Sequence, residues 1–246
     1  MDERLYFRQL LTGRDMARAD PVARQMLNFV YLIGDRETGE AVAVDPAYAP
    51  GDVLDMLAAD GMRLTGVLAT HYHPDHVGGE MMGFSLAGVA ELLERTEVPI
   101  HVHRDEAHYV TAVTGVSDAL TLHDSGDTVT VGSVEIQLVH TPGHTPGSQC
   151  FLVDGRLPGG GGASPMLIAG DTLFLEGCGR TDLPGGDPEQ MYFSLTQRLA
   201  KVPDETVLYP GHLYAPEPSA TLGETRSRNY VFQPNSLEEW MRYFGR

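Results

Sequence analysis

The chain has 246 residues, and its 17 lysines and arginines against 34 aspartates and glutamates give a net charge of −17. This acidic balance disfavours nucleic acid and anionic membrane surfaces as partners, because both require a basic footprint. No apolar run approaches the roughly 20 residues that a membrane span needs, and the first ten residues lack the segments of a secretory signal. We therefore expect a cytoplasmic protein with a small-molecule substrate, and a homo-oligomer is compatible with the sequence.

The first half of the chain alternates short apolar segments with turn residues. Strands are predicted where several apolar and β-branched residues run together, and helices where apolar residues recur on one face. On this basis we predict strands at 26–33, 41–44, 64–69 and 100–103, and helices at 52–59 and 86–93.

The second half is richer in strands. We predict strands at 128–131, 134–139, 149–153, 166–169 and 206–209, and helices at 188–199 and 236–244. The segment LPGGGGASP at 157–165 is predicted to be a flexible hairpin tip. Two strand-rich halves with interspersed helices indicate two packed sheets flanked by helices. This is an αββα sandwich, an α/β fold, which we expect to form one domain over residues 1–246.

A histidine-rich segment, THYHPDHVGG, directly follows the strand predicted at 64–69. Imidazole and carboxylate groups are ligands that divalent metals such as zinc prefer. In extended chain His71 and His73 point the same way. Asp75 and His76 are consecutive, so we expect their side chains to diverge and to serve a neighbouring position. One loop could therefore offer ligands to two adjacent metal ions.

Three further ligand-type residues follow predicted strands in the same way. His144 lies in TPGHTPGS after VEIQLV, Asp171 follows MLIA, and His212 follows TVLY and a Pro-Gly turn. Loops at one rim of a sandwich converge, and such rims are common places for sites. Asp171 has two carboxylate oxygens and could bridge two cations. We therefore predict that all seven residues line one metal site.

The ordered motifs HYHPDH, TPGHTPGS, GDTLF and YPGH resemble those of the metallo-β-lactamase superfamily over about residues 26–215. The resemblance implies the αββα fold. Within the superfamily the chain is most similar to the glyoxalase II-like hydrolases and the persulfide dioxygenases, because GDTLF is followed by GCGRTD. HPDHVGG and LPGGD look more like the hydrolases, whereas GCGRTD is shared with the dioxygenases.

The two branches imply different metal sites. For a hydrolase the resemblance implies two divalent ions, zinc in our prediction, with the first held by His71, His73 and His144, the second by Asp75, His76 and His212, and Asp171 bridging. For a dioxygenase it implies one Fe(II) held by His71, His144 and Asp171.

The favoured function is hydrolysis of a thioester or related carbonyl compound by a metal-bound hydroxide, with Asp75 as the catalytic residue that fixes the water. The alternative is a mononuclear Fe(II) dioxygenase acting on a glutathione-type persulfide. A β-lactamase-like hydrolase is a weaker alternative, and a non-enzymatic structural metal site is weaker still, since such sites are usually rich in cysteine. Only 34 residues follow His212, and GCGRTD stands where glyoxalase II binds glutathione. The thiol carrier is therefore open.

Three other residues near the motifs carry reactive or charged groups. Cys150 and Cys178 do not form a CxxC pair, so we expect free thiols. Cys178 could act as a nucleophile, but an architectural turn is the favoured interpretation of its loop. Arg180 could bind a substrate carboxylate or pair with Asp182, and we favour the pairing.

Overall fold

Two six-stranded sheets and one two-stranded hairpin make up the β-structure of the described residues, 4–154 and 164–245, in this computed structural model. The strands are β1 (Leu5–Leu11), β2 (Phe29–Asp35), β3 (Glu40–Val44), β4 (Arg63–Leu68), β5 (Gly79–Met81), β6 (Phe84–Leu86), β7 (Ile100–His103), β8 (Leu120–His123), β9 (Thr128–Val131), β10 (Val134–His140), β11 (Gln149–Val153), β12 (Met166–Gly170), β13 (Val207–Pro210) and β14 (Ala220–Thr221).

Eight α-helices accompany these strands in the part of the chain that the structure describes. They are α1 (Pro21–Met26), α2 (Pro50–Ala59), α3 (Pro74–Val77), α4 (Val89–Leu93), α5 (Ala107–Thr114), α6 (Pro188–Phe193), α7 (Leu222–Arg228) and α8 (Leu237–Phe244). A π-helical turn at Ser194–Arg198 and a 3₁₀ turn at Leu199–Lys201 continue α6. None of the helices described is long and apolar enough to cross a membrane.

The sheets have the orders β1-β2-β3-β4-β7-β8 and β14-β13-β12-β11-β10-β9. Their facing sides share an apolar core, in which Tyr31 and Ile33 of the first sheet pack with Ile136, Phe151 and Ile168 of the second. Helices α2, α4 and α5 cover the outer face of the first sheet, and α6 and α8 cover that of the second. The predicted αββα sandwich is confirmed.

The burial of individual strands follows from their sequences. All seven residues of β2, FVYLIGD, are buried, as expected for a strand that lies inside the sandwich and is covered on both faces. In β10 the residues from Val134 to Leu138 alternate between buried and exposed, because one side of this strand faces the core. Helix α2 begins at Pro50, whose fixed φ suits a first turn, and buries Val53 and Leu57.

Two predicted boundaries are wrong. The strand predicted at 26–33 begins only at Phe29, because Met26 ends α1, and Leu27 adopts a left-handed φ of 57° that terminates the helix. The helix predicted at 86–93 begins at Val89, because Leu86 belongs to β6.

Several short elements were not predicted at all: β1, α1, α3, β5, β6, β8, β14 and α7. Most are too short to show a clear period in the sequence. The hairpin tip predicted at 157–165 lies, except for its last two residues, outside the described residues.

Candidate metal centre

Four loops at one rim of the sandwich bring the seven predicted ligands together. The HYHPDH loop, residues 71–76, follows β4 and includes α3, and His144 lies in the turn between β10 and β11. Asp171 directly follows β12, and His212 lies two residues after β13. Five of the seven side chains are buried, and those of His73 and Asp171 are partly exposed. These strand-end loops meet at one point, as predicted from the sequence.

The first group of ligand atoms consists of three imidazole nitrogens. His71 Nε2 lies 3.1 Å from His73 Nδ1, and His144 Nε2 lies 2.9 Å from the same atom. Ligands at 2.0–2.1 Å from a tetrahedral ion stand about 3.3 Å apart. The three nitrogens are therefore spaced as they would be around a single ion.

The second group contains two imidazoles and one carboxylate. His76 Nε2 lies 3.3 Å from His212 Nε2, and Asp75 Oδ2 lies 3.5 Å and 3.4 Å from these two atoms. The expectation that Asp75 and His76 diverge is wrong, because both side chains face this one position. They lie in the single helical turn α3 (Pro74–Val77), where successive side chains turn by about 100° instead of alternating.

Asp171 stands between the two groups. Its Oδ1 lies 3.4 Å from His76 Nε2, and its Oδ2 lies 3.7 Å from His144 Nε2 and 3.4 Å from His212 Nε2. Asp171 Oδ1 is buried and has no hydrogen-bond partner within the described residues. A buried carboxylate oxygen without a donor is costly. An ion between the two groups would remove this cost.

Each of the four imidazoles that face the centre with Nε2 has an oxygen atom beside its Nδ1. The pairs are His71 with Thr70 Oγ1 at 3.0 Å, His76 with Asp45 Oδ2 at 2.9 Å, His144 with Arg180 O at 2.7 Å, and His212 with Met26 O at 2.8 Å. Carbonyl and carboxylate oxygens only accept, and the Thr70 hydroxyl donates to Asp45, so each Nδ1 must be the donor. Every Nε2 of a neutral ring is then left as a free lone pair, as a metal ligand requires.

Asp45, which was not predicted from the sequence, fixes the HYHPDH loop by accepting hydrogen bonds on the side away from the centre. Its two oxygens accept from the Thr70 amide at 2.8 Å, the Thr70 hydroxyl at 2.6 Å and His76 Nδ1 at 2.9 Å. Asp45 follows the strand AVAV just as Asp171 follows MLIA. The same strand-end signal could therefore have identified it.

Asn28 and Tyr48 were also missed; Asn28 contacts the second group, and Tyr48 contacts Asn28. Asn28 Nδ2 donates to Asp75 Oδ2 at 3.0 Å, while Tyr48 donates its hydroxyl proton to Asn28 Oδ1 at 3.1 Å. A carboxylate oxygen has more than one lone pair, so Asp75 Oδ2 can accept this bond and still face a cation. The chain from Tyr48 through Asn28 fixes the orientation of the Asp75 carboxylate.

Glu106 is a third missed residue, and it joins two of the ligand-bearing loops. This buried carboxylate accepts from the Tyr72 amide, the Thr145 hydroxyl and the Gly147 amide, each at 2.7 Å. Burial raises the pKa of Glu106 to about 7, although these three bonds oppose the rise. Tyr72 lies between His71 and His73, and Thr145 follows His144. Glu106 therefore sets the position of the first group.

The charges within the centre are strongly coupled. Burial disfavours protonation of His76, but the Asp75 and Asp171 carboxylates outweigh it and raise the pKa of His76 to about 10. Burial, followed by the charge of His76, holds the pKa of His71 well below its usual range. Without a metal the carboxylates therefore keep a proton on His76. A metal ion would have to displace that proton, which makes binding dependent on pH.

A second histidine group lies apart from this centre and is a poor metal site. The rings of His103 and His140 stack in parallel, with 3.7 Å between centroids and an angle of 11°. An ion bound in the plane of one ring would lie well outside the plane of the other. Its third member, Asp105, is exposed. We regard this group as structural.

The centre forms the floor of an open cleft of about 540 Å³. Cys178 lines the cleft, but burial raises the pKa of its thiol to about 12, so it carries no thiolate near neutral pH. Arg180, also at the cleft, donates Nε and Nη2 to the two carboxylate oxygens of Asp182 at 2.9 Å and 2.8 Å. The favoured pairing is therefore present.

A sandwich of this topology with two ligand groups at one rim is a metallo-β-lactamase arrangement, and comparison with known proteins agrees. The model of the metallo-beta-lactamase superfamily matches residues 24–212, and the chain belongs to this superfamily. Its fold and its clusters of histidine and aspartate fit a metal-dependent enzyme, a hydrolase or an oxygenase.

Among individual proteins, the chain is 30% identical to the mitochondrial persulfide dioxygenase ETHE1 of Homo sapiens, over 97% of the chain and 86% of that protein. It is 36% identical to a hydroxyacylglutathione hydrolase of Nitrosococcus oceani, over 76% of the chain. The chain spans only 62% of the length of that hydrolase. A solved structure of ETHE1 from Myxococcus xanthus superposes with a TM-score of 0.76 at 32% identity, covering 98% of this chain and 90% of the other.

Proposed function

We propose that the protein is a zinc-dependent hydrolase that cleaves a thioester with the help of two metal ions. The observation that carries the proposal is that two complete three-atom ligand groups lie side by side, with Asp171 between them. His71, His73 and His144 would hold one ion, and Asp75, His76 and His212 the other. Two observations fit this assignment: Asp171 Oδ1 is buried without a hydrogen-bond partner among the described residues, and the neutral rings of His76 and His212 have a free lone pair on Nε2.

The reaction adds one water to the thioester. A bond forms between the water oxygen and the acyl carbon, the carbon–sulfur bond breaks, and the products are a carboxylic acid and a thiol. When bound, the two ions would lower the pKa of water and stabilise the negative charge that develops on the acyl oxygen.

The chain's own residues orient the water. Asp75 Oδ2 faces the centre, and the pKa of Asp75 is lowered, because the charges of His76 and His212 outweigh its burial. Asp75 is therefore ionised, accepts a hydrogen bond from the water and fixes its direction. Asn28 holds Asp75 in that orientation. No cysteine nucleophile is needed, which agrees with the protonated Cys178 thiol.

Metal analysis tests this proposal directly. Protein purified without added metal should contain close to two zinc ions per chain and should hydrolyse thioesters. A chelator should abolish turnover while the circular dichroism spectrum keeps its folded form, and added zinc should restore turnover. One iron per chain, with no thioester hydrolysis after zinc loading, would contradict the proposal.

A second candidate is a persulfide dioxygenase with one Fe(II) held by His71, His144 and Asp171. It is favoured by the match to a persulfide dioxygenase along nearly the whole of both chains. Two histidines and one carboxylate are also the usual ligand set of non-haem Fe(II) oxygenases. The iron-loaded protein should then consume oxygen in the presence of glutathione persulfide. Zinc-loaded protein should not, and it serves as the matched control.

A further inference from the structure

Large apolar side chains line the walls of the cleft. Six large apolar side chains are strongly exposed in the described residues, and three of them, Met82, Tyr214 and Tyr230, line this one cleft. Their exposed fractions are 83%, 49% and 53%. Scattered exposed apolar residues need no explanation, but a cluster beside a reactive centre marks a binding surface.

One wall is the hairpin of β5 and β6. Met82 and Gly83 form its two-residue turn, and both have positive φ, 51° and 83°, as a tight hairpin turn requires. This turn places Met82 at the tip, beside the cleft, while Met81 lines the cleft below it. Methionine is flexible and polarizable, so it adapts to apolar groups of different shapes.

The opposite wall is aromatic, and ring contacts and hydrogen bonds fix its position. The Tyr214 ring stacks on His212, with 4.7 Å between centroids and an angle of 9°, and Phe174 meets Tyr214 edge-on at 5.1 Å. Asn229 bonds to both the amide and the carbonyl of Gly177, at 2.8 Å and 2.9 Å. These bonds fix the backbone beside Tyr230, so the wall exists before a substrate arrives.

The charges on the cleft do not suit an anionic substrate group. Arg180 is the one lysine or arginine among the described residues that line it, and both carboxylate oxygens of Asp182 already accept from its guanidinium. Glu176 adds an exposed carboxylate to the same wall. A glutathione conjugate carries two carboxylates and one ammonium group, and its two carboxylates would find no unpaired guanidinium or ammonium group among the described residues that line the cleft. The positive charge of bound metals would act at the floor, where the reacting carbonyl lies.

We infer that the cleft selects a thioester bearing an uncharged, apolar acyl chain on an uncharged thiol, in preference to a glutathione thioester. The inference rests on the proposed function and names its substrate class. The acyl chain lies between Met82 at the hairpin tip and the aromatic wall of Tyr214 and Tyr230. Fully burying a methylene group is worth about a factor of four in an equilibrium constant. In this open cleft we expect roughly half of that, about twofold per methylene.

Binding and turnover are measured separately on the zinc-loaded protein. In calorimetry, the thioether S-hexyl-N-acetylcysteamine should bind at least tenfold more tightly than S-hexylglutathione. In turnover, the hexanoyl thioester of N-acetylcysteamine should have a kcat/KM roughly tenfold above that of the acetyl thioester, and both should exceed S-lactoylglutathione. Equal or tighter binding of S-hexylglutathione would overturn the inference.

The variant Met82→Asn keeps a residue that tolerates positive φ but removes the apolar tip. It should reduce the ratio of hexanoyl to acetyl kcat/KM at least threefold. Leu122→Asn is the control, because Leu122 is 49% exposed but does not line the cleft, and it should leave the ratio unchanged. An unchanged ratio in Met82→Asn would count against the inference. Tight thioether binding without hydrolysis of any thioester would support the ligand class and refute the proposed hydrolase.

Discussion

His76 Nδ1 donates a hydrogen bond of 2.9 Å to Asp45 Oδ2, on the side of the ring away from the centre. The bond fixes both the tautomer and the direction of His76. We predict that Asp45→Asn weakens the binding of one metal equivalent by 10–100-fold, the usual effect of losing such a partner. The Thr70 amide and His76 Nδ1 donate to different oxygens of Asp45, so asparagine, which has only one accepting oxygen, would turn its NH₂ group toward one of these two donors.

Competition with a chromophoric chelator measures the two affinities of Asp45→Asn separately. Asp55→Asn, an exposed change in α2, is the control and should bind both equivalents like the unaltered protein. If Asp45→Asn binds both equivalents with unaltered affinity, Asp45 does not orient a ligand.

Asp171 and Asp75 should differ in how many metal ions they affect. Asp171 lies between the groups, so Asp171→Ala should lower the affinity for both equivalents and reduce turnover by more than a hundredfold. Asp75 belongs to the second group alone, so Asp75→Ala should remove about one equivalent. Metal-to-protein ratios after dialysis distinguish the cases. Full metal content and full turnover in Asp171→Ala would exclude a bridging role.

The sequence singled out the seven residues that meet at the centre because each of them combines two local signals, a ligand-type side chain and the end of an apolar strand. Asp45 carries the same two signals and could have been included. Asn28 and Glu106 do not combine them, because Asn28 precedes β2, and Glu106, although a carboxylate, stands directly before α5 instead of directly after a strand. Glu106 lies 34 residues from Tyr72 and 41 from Gly147, and only the packing of α5 beside both loops brings them together.

The fold, too, was predictable where the local sequence determines an element and not where packing between distant segments does. The apolar runs predicted most strands and the αββα arrangement. The short hairpin of β5 and β6 has no such run, and its role as a wall of the cleft depends on the turn at Met82 and Gly83. The directions of neighbouring side chains at a crowded site could also not be predicted from the alternation of an extended chain. That alternation predicts that Asp75 and His76 diverge, whereas in the structure they lie in a helical turn and converge.

Glu106 should make stability depend on pH. Its pKa is raised from 4.5 to about 7 in the folded state, so between these values the folded protein holds a proton that the unfolded chain has lost. The free energy of unfolding therefore falls as pH rises through this window, by roughly 3 kcal/mol for a shift of this size. Glutamine at this position does not titrate.

Urea unfolding of metal-free protein and of Glu106→Gln, each from pH 4.5 to 7.5, tests this dependence. The two proteins have the same titratable groups except Glu106, so the difference between the two stability curves reports on Glu106. The free energy of unfolding of the unaltered protein minus that of Glu106→Gln should decrease with rising pH. Parallel curves would mean that folding does not raise the pKa of Glu106.

Cys178 should be dispensable for the chemistry. Its thiol stays protonated near neutral pH, because burial raises its pKa to about 12. We predict that Cys178→Ala keeps kcat within about twofold for a thioester substrate, with Asp75→Ala as the comparison that loses turnover. A loss above a hundredfold in Cys178→Ala, with metal content intact, would identify a nucleophilic thiol and replace the mechanism proposed above.

Gly211 should control the position of Asp171 without being a ligand itself. A Cβ added at Gly211 would overlap Asp171 Oδ1 and would lie 2.9 Å from the Gly170 carbonyl carbon, so the carboxylate has to move. The φ of Gly211 is not positive, so alanine brings steric displacement and not backbone strain. We expect Gly211→Ala to weaken both metal equivalents together while all seven ligands remain. Gly223→Ala, in α7, is the control. If Gly211→Ala binds both metal equivalents with undiminished affinity, Asp171 need not stand between the two ions.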